Sequence, residues 1–209
     1  MAKKLCSKTA LPYFYQMPLT IAAAQIAQVV KKNTAALHAE VEAILVPKLN
    51  TIRTIEDYSA ILRTFYGYFH PLENCIQQYI TPSVLPDISS RRTSHLIIKD
   101  LAVLNDHKEP VICSSLPAIN NLNNAFGAMY VLEGSTLGGK VIAKMLAKNN
   151  SVAIPLQAMQ FFNGYGEQTG RMWTTFVDVL NQQKEEDEIV NAANETFFHL
   201  KGWMQSSPE

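Results

Sequence analysis

Several features that would indicate common functions are missing from this sequence. It has only three cysteines, Cys6, Cys75 and Cys113, and they lack the spacing of a metal site or a disulfide framework. Scattered thiols are typical of the reducing cytoplasm, where we expect this chain to act. Basic and acidic side chains are equally numerous, at 18 each, so no excess of positive charge indicates a nucleic-acid partner.

Long uninterrupted apolar runs are also missing. The apolar stretch of residues 21–30 is too short and too interrupted to cross a bilayer. The first residues have a basic start but no clean apolar run, so we expect no signal peptide. These features predict a protein without a membrane partner.

What the sequence does have is helical periodicity over most of its length. Hydrophobic residues make up 47% of the chain and charged residues 17%, which is enough apolar material for a sizeable core. Apolar side chains recurring every three or four residues predict helices over residues 19–45, 55–80, 90–104, 126–148, 169–181 and 185–204. We expect Pro47 to close the first helix, and Pro71 to kink or break the second near His70. Thr54 and Asp57 are spaced as a capping box at the start of the second helix.

The helix of residues 126–148 is unusual because Gly134, Gly138 and Gly139 lie in its middle. Each helical glycine costs about 0.5–1 kcal/mol relative to alanine, so three of them need a reason. A kink, or close approach of the backbone to another chain or to a ligand, would be such a reason.

The same glycines also match most of a phosphate-binding loop. Residues 134–140 read G-x-x-x-x-G-K, but Val141 stands where a serine or threonine should hold magnesium. The chain also lacks the alternation of strands and helices on which such nucleotide sites are built. These two differences favour an all-α fold over a nucleotide-binding α/β fold.

Among the five histidines, His38 has the most distinctive surroundings. Ala35, Ala36 and Ala39 make the helix thin there, so that a bulky group could lie against it. Glu42 lies one turn later on the same face, where its carboxylate could hold one ring nitrogen while the other binds a metal. The pattern equally fits an ordinary surface pair worth a few tenths of a kcal/mol, so both interpretations stay open.

Three further polar side chains are candidates for ligand contacts. Lys31, about two turns before His38, and Arg171 could meet ligand carboxylates, although such residues usually face solvent. Tyr130 could donate a hydrogen bond into a pocket, or it could be an ordinary core tyrosine.

Two of these segments resemble motifs of the bacterial heme oxygenases. Residues 130–139, YVLEGSTLGG, resemble the glycine-bearing distal helix of that family, and residues 34–42, TAALHAEVE, resemble its proximal helix. Residues 170–176, GRMWTTF, are similar to a segment near the end of its members. The similarity runs from about Lys31 to Trp203 and keeps the order of the segments.

The resemblance implies a single all-α domain over residues 19–204, with heme b held between a proximal helix and a kinked distal helix. We expect an irregular arm over residues 1–18 and a short tail over 205–209. By position, His38 matches the iron ligand and Glu42 its supporting carboxylate. The remaining heme-binding positions implied by the resemblance are Lys31, Tyr130, Gly134, Ser135, Gly138, Gly139 and Arg171. Of these, Ser135, Gly134 and Gly138 match the positions closest to the chemistry; animal members of the family have an aspartate where this chain has Ser135.

The resemblance also implies an activity, in which heme is both cofactor and substrate. O₂ and electrons from a donor such as a ferredoxin or a flavin reductase would convert heme to biliverdin, CO and Fe²⁺. Because the iron ligand and the glycines serve binding as well as turnover, a non-catalytic heme-binding or heme-sensing protein on the same fold is the alternative. A helical nucleotide-binding protein and a helical interaction protein are two further hypotheses.

Overall fold

The computed structural model describes residues 25–149 and 151–206, and over these residues the chain forms α-helices and no strand. The helices are α1 (Ile26–Asn50), α2 (Ile55–Ile76), α3 (His95–Val103), α4 (Leu122–Ala147), α5 (Gln160–Asn163), α6 (Thr169–Leu180) and α7 (Glu186–Ser206). The prediction of an all-α fold is therefore confirmed. The expected arm of residues 1–18, the start of the predicted first helix and residues 207–209 of the expected tail lie outside the described residues.

The helix α4 occupies the centre of the fold. Its residues 125–133 are all buried, and those up to Leu132 form an apolar run that covers every side of the helix and ends at the charged Glu133. Asn121 caps its start by accepting a hydrogen bond of 2.8 Å from the N–H of Asn124. Both α4 and α1 pack extensively on α7 but only slightly on each other. The helix with His38 and the helix with the glycines are thus held in place by a common third helix.

The start of α2 agrees with its sequence signal. Thr54 Oγ1 accepts a hydrogen bond of 3.1 Å from the Asp57 N–H, and Asp57 Oδ2 accepts one of 2.9 Å from the Thr54 N–H. The capping box is confirmed.

The expected break at Pro71 does not occur, because α2 continues through it to Ile76. A proline leaves the carbonyl four residues earlier without its helical donor, which here is the carbonyl of Gly67. The N–H of Cys113 donates to that oxygen at 2.9 Å, so the loop before α4 replaces the missing bond. This approach requires a glycine at position 67, because a Cβ there would overlap the carbonyl oxygen of Val111.

The predicted end of the first helix and the predicted start of the third are also wrong. The first helix does not close at Pro47 but ends at Asn50, because a proline in the last turn removes only one hydrogen bond and its φ suits a helix. The N–H of Thr51 then donates to the Pro47 carbonyl at 3.1 Å. The third predicted helix begins at His95 instead of residue 90, because Arg91 has extended backbone angles, φ −75° and ψ 147°.

The short helix α5 is fixed by a buried carboxylate. Asp100 accepts hydrogen bonds of 2.9 Å from the backbone N–H groups of both Gln160 and Phe161, which are the first two residues of α5. Burial raises the pKa of Asp100 to about 6 against these hydrogen bonds. None of the helices in residues 25–149 and 151–206 has the length and apolar character needed to span a bilayer.

Candidate functional site

One face of α1 carries three of the predicted site residues. Lys31, His38 and Glu42 are all exposed, and their spacing places them on one side of the helix. The His38 and Glu42 side chains are 54% and 60% exposed, and His38 Nε2 lies 3.7 Å from Glu42 Oε1. The His38 ring packs edge-on against Phe197 of α7, with 5.4 Å between the ring centroids. This contact supports one side of the imidazole while most of it faces outward.

The second set of predicted residues lies on α4, where the glycines divide into two kinds. A Cβ on Gly138 would meet no atom within 4 Å, and one on Gly134 would meet only the Trp173 ring, at 3.8 Å. Gly139, in contrast, lies against α5, because a Cβ there would overlap the Phe162 carbonyl oxygen. Packing between described residues therefore explains why position 139 is a glycine, but it does not explain the glycines at positions 134 and 138. These two glycines are four residues apart, so they expose a strip of bare backbone on one side of α4.

Tyr130 lies one turn before this strip. Its ring is buried and packs edge-on against Trp173, with 5.4 Å between centroids. Burial raises the pKa of the Tyr130 hydroxyl above its ordinary value, so the group is a neutral hydrogen-bond donor at physiological pH. Arg171 is exposed near the start of α6, two residues before Trp173. The structure thus brings Tyr130, Trp173 and the open glycines together.

Ser135 points its hydroxyl into the protein. Its Oγ donates a hydrogen bond of 2.6 Å to the carbonyl of Leu132 and accepts one of 2.6 Å from Nη2 of Arg92. The same Arg92 nitrogen donates to the Leu132 carbonyl at 2.7 Å. A hydroxyl has one proton and two acceptor positions, so Ser135 Oγ retains the capacity to accept one more hydrogen bond.

The arginine that holds Ser135 belongs to a polar network inside the protein. Tyr165 connects its members, because its hydroxyl accepts from the Arg92 backbone N–H at 2.8 Å and donates to Glu133 at 2.8 Å. The opposite oxygen of Glu133 accepts a hydrogen bond of 2.8 Å from Arg91 Nη1. The Arg92 guanidinium also lies over the Phe161 ring, 4.3 Å from its centroid.

Burial and nearby negative charge shift the pKa values of Arg91 and Arg92 in opposite directions. For Arg91, burial alone would lower the pKa, but Glu133 and Asp87 together raise it above its ordinary value. For Arg92, burial prevails and lowers the pKa, although Glu133 opposes the effect. Glu73, at the edge of this network, accepts hydrogen bonds from the N–H and the hydroxyl of Ser94. Burial raises its pKa to about 7.

The sequence analysis did not identify this network. One signal was present, because Glu133 is a charged residue that directly follows the apolar run of residues 125–132. A buried carboxylate needs a partner, and the adjacent arginines Arg91 and Arg92 were candidates. Their position in the chain, however, resembles the exposed start of a helix.

Comparisons with known proteins agree on one family. The sequence profile described as Heme oxygenase matches residues 24–206. The chain belongs to the heme oxygenase family. A heme oxygenase from Xanthomonas campestris pv. campestris (strain 8004) is 28% identical over 128 residues, which cover 61% of this chain and 74% of that protein.

Two solved structures have the same fold. The NO- and CO-bound heme oxygenase from Neisseria meningitidis superposes with a TM-score of 0.69 at 21% identity, over 88% of this chain and 92% of that one. The heme oxygenase from Leptospira interrogans gives a TM-score of 0.65 at 14% identity, over 88% of this chain and the whole of that one. The predicted family and the heme oxygenase-like fold are both confirmed.

The residues present suit the heme that this family of enzymes acts on. Among the described residues, no three or more His, Cys, Asp or Glu side chains are grouped to hold a bare metal ion. A porphyrin brings four nitrogen ligands of its own, so a single exposed imidazole such as that of His38 is sufficient. The bare backbone at Gly134 and Gly138 offers a surface without side chains on which a flat ring can lie.

Proposed function

We propose that this heme oxygenase family member is an active enzyme that opens heme to biliverdin with release of CO and Fe²⁺. It would use O₂ and electrons from an external donor. The observation that carries the proposal is the pair of open glycines, Gly134 and Gly138, beside the hydrogen-bonded Ser135. Side chains at these two positions would hold a ring away from the helix, whereas bare backbone lets it lie next to the Ser135 segment.

The α1 face would bind the iron. In this proposal His38 would hold the heme iron, and Glu42 would attract one ring nitrogen so that the other is left for the iron. The edge contact with Phe197 limits how far the imidazole can turn. Because the rest of the ring is exposed, heme can reach it without a rearrangement of the helix.

The charged and phenolic side chains would bind the edge of the ring. Lys31 and Arg171 are exposed cations that suit the two heme propionates, and Tyr130 is a neutral donor that suits a propionate oxygen. Gly139 supports the site indirectly, because its contact with Phe162 fixes α4 on α5.

Bound heme supplies the iron that activates O₂ and the porphyrin carbon that is oxidised. The protein's contribution on the α4 side would be to hold a water molecule near the open glycines. The Ser135 hydroxyl donates its proton to the Leu132 carbonyl and accepts a hydrogen bond from Arg92. Its second lone pair can accept a hydrogen bond from a water and so orient that water, but the hydroxyl has no proton left to give. The proton would therefore come from that water, with Arg92 fixing the Ser135 hydroxyl.

Electrons would come from a small redox protein, such as a ferredoxin or a flavin reductase, and we propose a cytoplasmic location. In the described residues Cys75 and Cys113 are free thiols, which is consistent with a reducing compartment.

The test is a hemin titration followed by ascorbate under air. We expect a saturable Soret band that bleaches when ascorbate is added, while biliverdin absorbance rises in the red and CO is released. Catalase is included, so that free peroxide cannot degrade the heme. A stable Soret band with no biliverdin, under ascorbate and also under a ferredoxin system, would instead support the non-catalytic heme-binding or heme-sensing alternative.

A further inference from the structure

A serine, a histidine and a glutamate are connected in that order beside a surface cleft at α7. Ser115 Oγ lies 3.1 Å from Nδ1 of His199, and the other ring nitrogen of His199, Nε2, lies 3.6 Å from Oε2 of Glu195. The proposed heme site uses none of these side chains. A hydroxyl, an imidazole and a carboxylate in this order are the groups with which hydrolytic enzymes activate a serine as a nucleophile.

The carboxylate determines which nitrogen of His199 carries the proton. A neutral imidazole has one N–H, and the negative charge of Glu195 favours the tautomer with that proton on Nε2. Nδ1 is then an acceptor, and the Ser115 hydroxyl donates its proton to it. The His199 side chain is only 21% exposed, so the surrounding protein also limits how far the ring can turn.

The two parts of this arrangement are both anchored to α2. The Cys113 N–H donates to the Gly67 carbonyl at 2.9 Å, and Cys113 Sγ donates to the Ser115 carbonyl at 3.3 Å, which fixes the loop that carries the serine. On α7, Trp203 Nε1 donates to the Thr64 carbonyl at 2.8 Å. The serine and the histidine are therefore held at a constant separation by a third helix, as nucleophilic catalysis requires.

The hydroxyl and the imidazole border a cleft that is large enough for a small molecule. Its volume is about 570 Å³, and Ser115, His199, Phe198 and Gly202 are among the residues that line it. Phe198 is 53% exposed and supplies an apolar wall. Gly202 lies three residues after His199 on the same side of α7, and a Cβ there would meet no atom within 4 Å. The cleft therefore has open space next to the imidazole.

Backbone donors are available beside the serine. Within the described residues, the N–H groups of Ser115 and Leu116 make no hydrogen bond. An N–H on the nucleophile or next to it can stabilise the negative oxygen that forms when a carbonyl carbon is attacked. The loop and α7 together thus offer a nucleophile, a base and oxyanion donors, which are the components of acyl transfer.

We propose that this cleft is a second catalytic site, which hydrolyses small carboxylic esters with an apolar acyl group. Ser115 Oγ attacks the ester carbonyl carbon, its proton passes to His199 Nδ1, and Glu195 stabilises the imidazolium. The bond between the carbonyl carbon and the alcohol oxygen then breaks, and the alcohol leaves with the proton from His199. Water gives a proton to the same histidine and attacks the acyl-serine, which releases the carboxylic acid and returns the proton to Ser115. This reaction needs no heme and is independent of the proposed function.

The first experiment treats the full chain without heme with an alkyl fluorophosphonate, which phosphonylates activated serines and releases fluoride. The modified residue is mapped by mass spectrometry of proteolytic peptides, and we expect it to be Ser115. His199→Ala should lower the labelling rate by about 100-fold or more, as expected for loss of a general base. The matched control is Ser114→Ala, which removes the neighbouring exposed hydroxyl and should be labelled as the wild type is.

The second experiment measures hydrolysis of p-nitrophenyl butyrate by the same proteins. Ser115→Ala and His199→Ala should each lower kcat/KM by about 100-fold or more. Glu195 is a positioning residue that acts through the histidine, so Glu195→Gln should lower kcat by about ten-fold and leave KM unchanged. Urea unfolding of each variant checks that the fold is retained.

Absence of an adduct on Ser115, or an adduct that forms equally fast in His199→Ala, would overturn the proposal. Ester hydrolysis that persists in Ser115→Ala would also overturn it, because the histidine would then act without the serine. These outcomes leave the proposed function untouched, since hemin binding and biliverdin formation are measured separately and should be unchanged in Ser115→Ala.

Discussion

Arg92 donates a hydrogen bond of 2.6 Å from Nη2 to the hydroxyl oxygen of Ser135, and thereby connects the loop before α3 to the glycine-bearing part of α4. The serine proton is directed to Leu132, so the orientation of the hydroxyl is determined on both sides. A group held in this way can orient a water molecule at a constant position, which is what proton delivery to a bound ligand requires.

The first prediction concerns the Ser135 hydroxyl. We expect Ser135→Ala to bind hemin as the wild type does but to turn it over about ten-fold more slowly. The loss of the hydrogen bond between the hydroxyl and a water costs about 0.5–1.5 kcal/mol, and about 1.4 kcal/mol is a factor of ten in rate. Turnover is measured as biliverdin formed per minute with ascorbate. The control is Thr136→Ser, one residue along α4, which keeps the hydroxyl that donates to the Glu133 carbonyl. An unchanged rate in Ser135→Ala would remove the serine from the mechanism.

The second prediction separates the two kinds of glycine in α4. Gly138→Ala meets no atom, so it should stabilise the protein without heme by about 0.5–1 kcal/mol through helix propensity. Gly139→Ala overlaps the Phe162 carbonyl and should destabilise it by about 1–3 kcal/mol. Both values come from denaturant unfolding of the heme-free protein.

Gly138→Ala should stabilise the heme-free protein but weaken its binding of hemin. If heme lies on the bare backbone, the added methyl group stands in its way, and we expect the hemin dissociation constant to rise by about ten-fold or more, since overpacking costs about 1–3 kcal/mol. Hemin affinity at the wild-type level in Gly138→Ala would show that heme does not lie against this glycine.

The third prediction assigns the iron ligand, and the chain offers a close control. His199 pairs with Glu195 four residues earlier at 3.6 Å, much as His38 pairs with Glu42 at 3.7 Å. His38→Ala should shift or abolish the Soret band, and its unfolding free energy should stay within about 0.5 kcal/mol of the wild type, because the side chain is largely exposed. His199→Ala should leave the Soret band unchanged. Added imidazole should restore the band in His38→Ala, and a variant band identical to that of the wild type would contradict the assignment.

Local signals predicted much of the fold. The Thr54 capping box and the apolar spacing of α6 and of α7 each depend on residues within a few positions of one another, and all three agree with the structure. The outcome at Pro71 depends on a distant residue. The N–H of Cys113 satisfies the carbonyl that the proline leaves free, and no pattern around Pro71 contains that information.

The candidate site likewise contains residues that local patterns predict and residues that only the fold brings together. The His38 segment and the Gly134 segment each carry a recognisable local pattern, and the resemblance followed from those two patterns. The Arg92 network was not predictable in this way, because Ser135, Glu133 and Tyr165 contribute to it from two other parts of the chain. A buried charge indicates that a partner exists, but only the fold determines which one.

The last prediction concerns the dependence of stability on pH, through Glu73. Burial raises the pKa of this carboxyl from 4.5 to about 7, although hydrogen bonds from Ser94 favour its charged form. Between those two values the folded protein binds more protons at Glu73 than the unfolded chain does, so this residue makes the unfolding free energy decrease as pH rises from about 4.5 to 7. In Glu73→Gln that contribution is absent, and its unfolding free energy should decrease less over this range when both proteins are measured by urea unfolding from pH 5 to 8. Asp100, whose pKa is raised to about 6, is present in both proteins and cancels in the comparison. Parallel pH profiles for the two proteins would show that Glu73 is not protonated in the fold, and that its charge is stabilised by Ser94 and Arg92 after all.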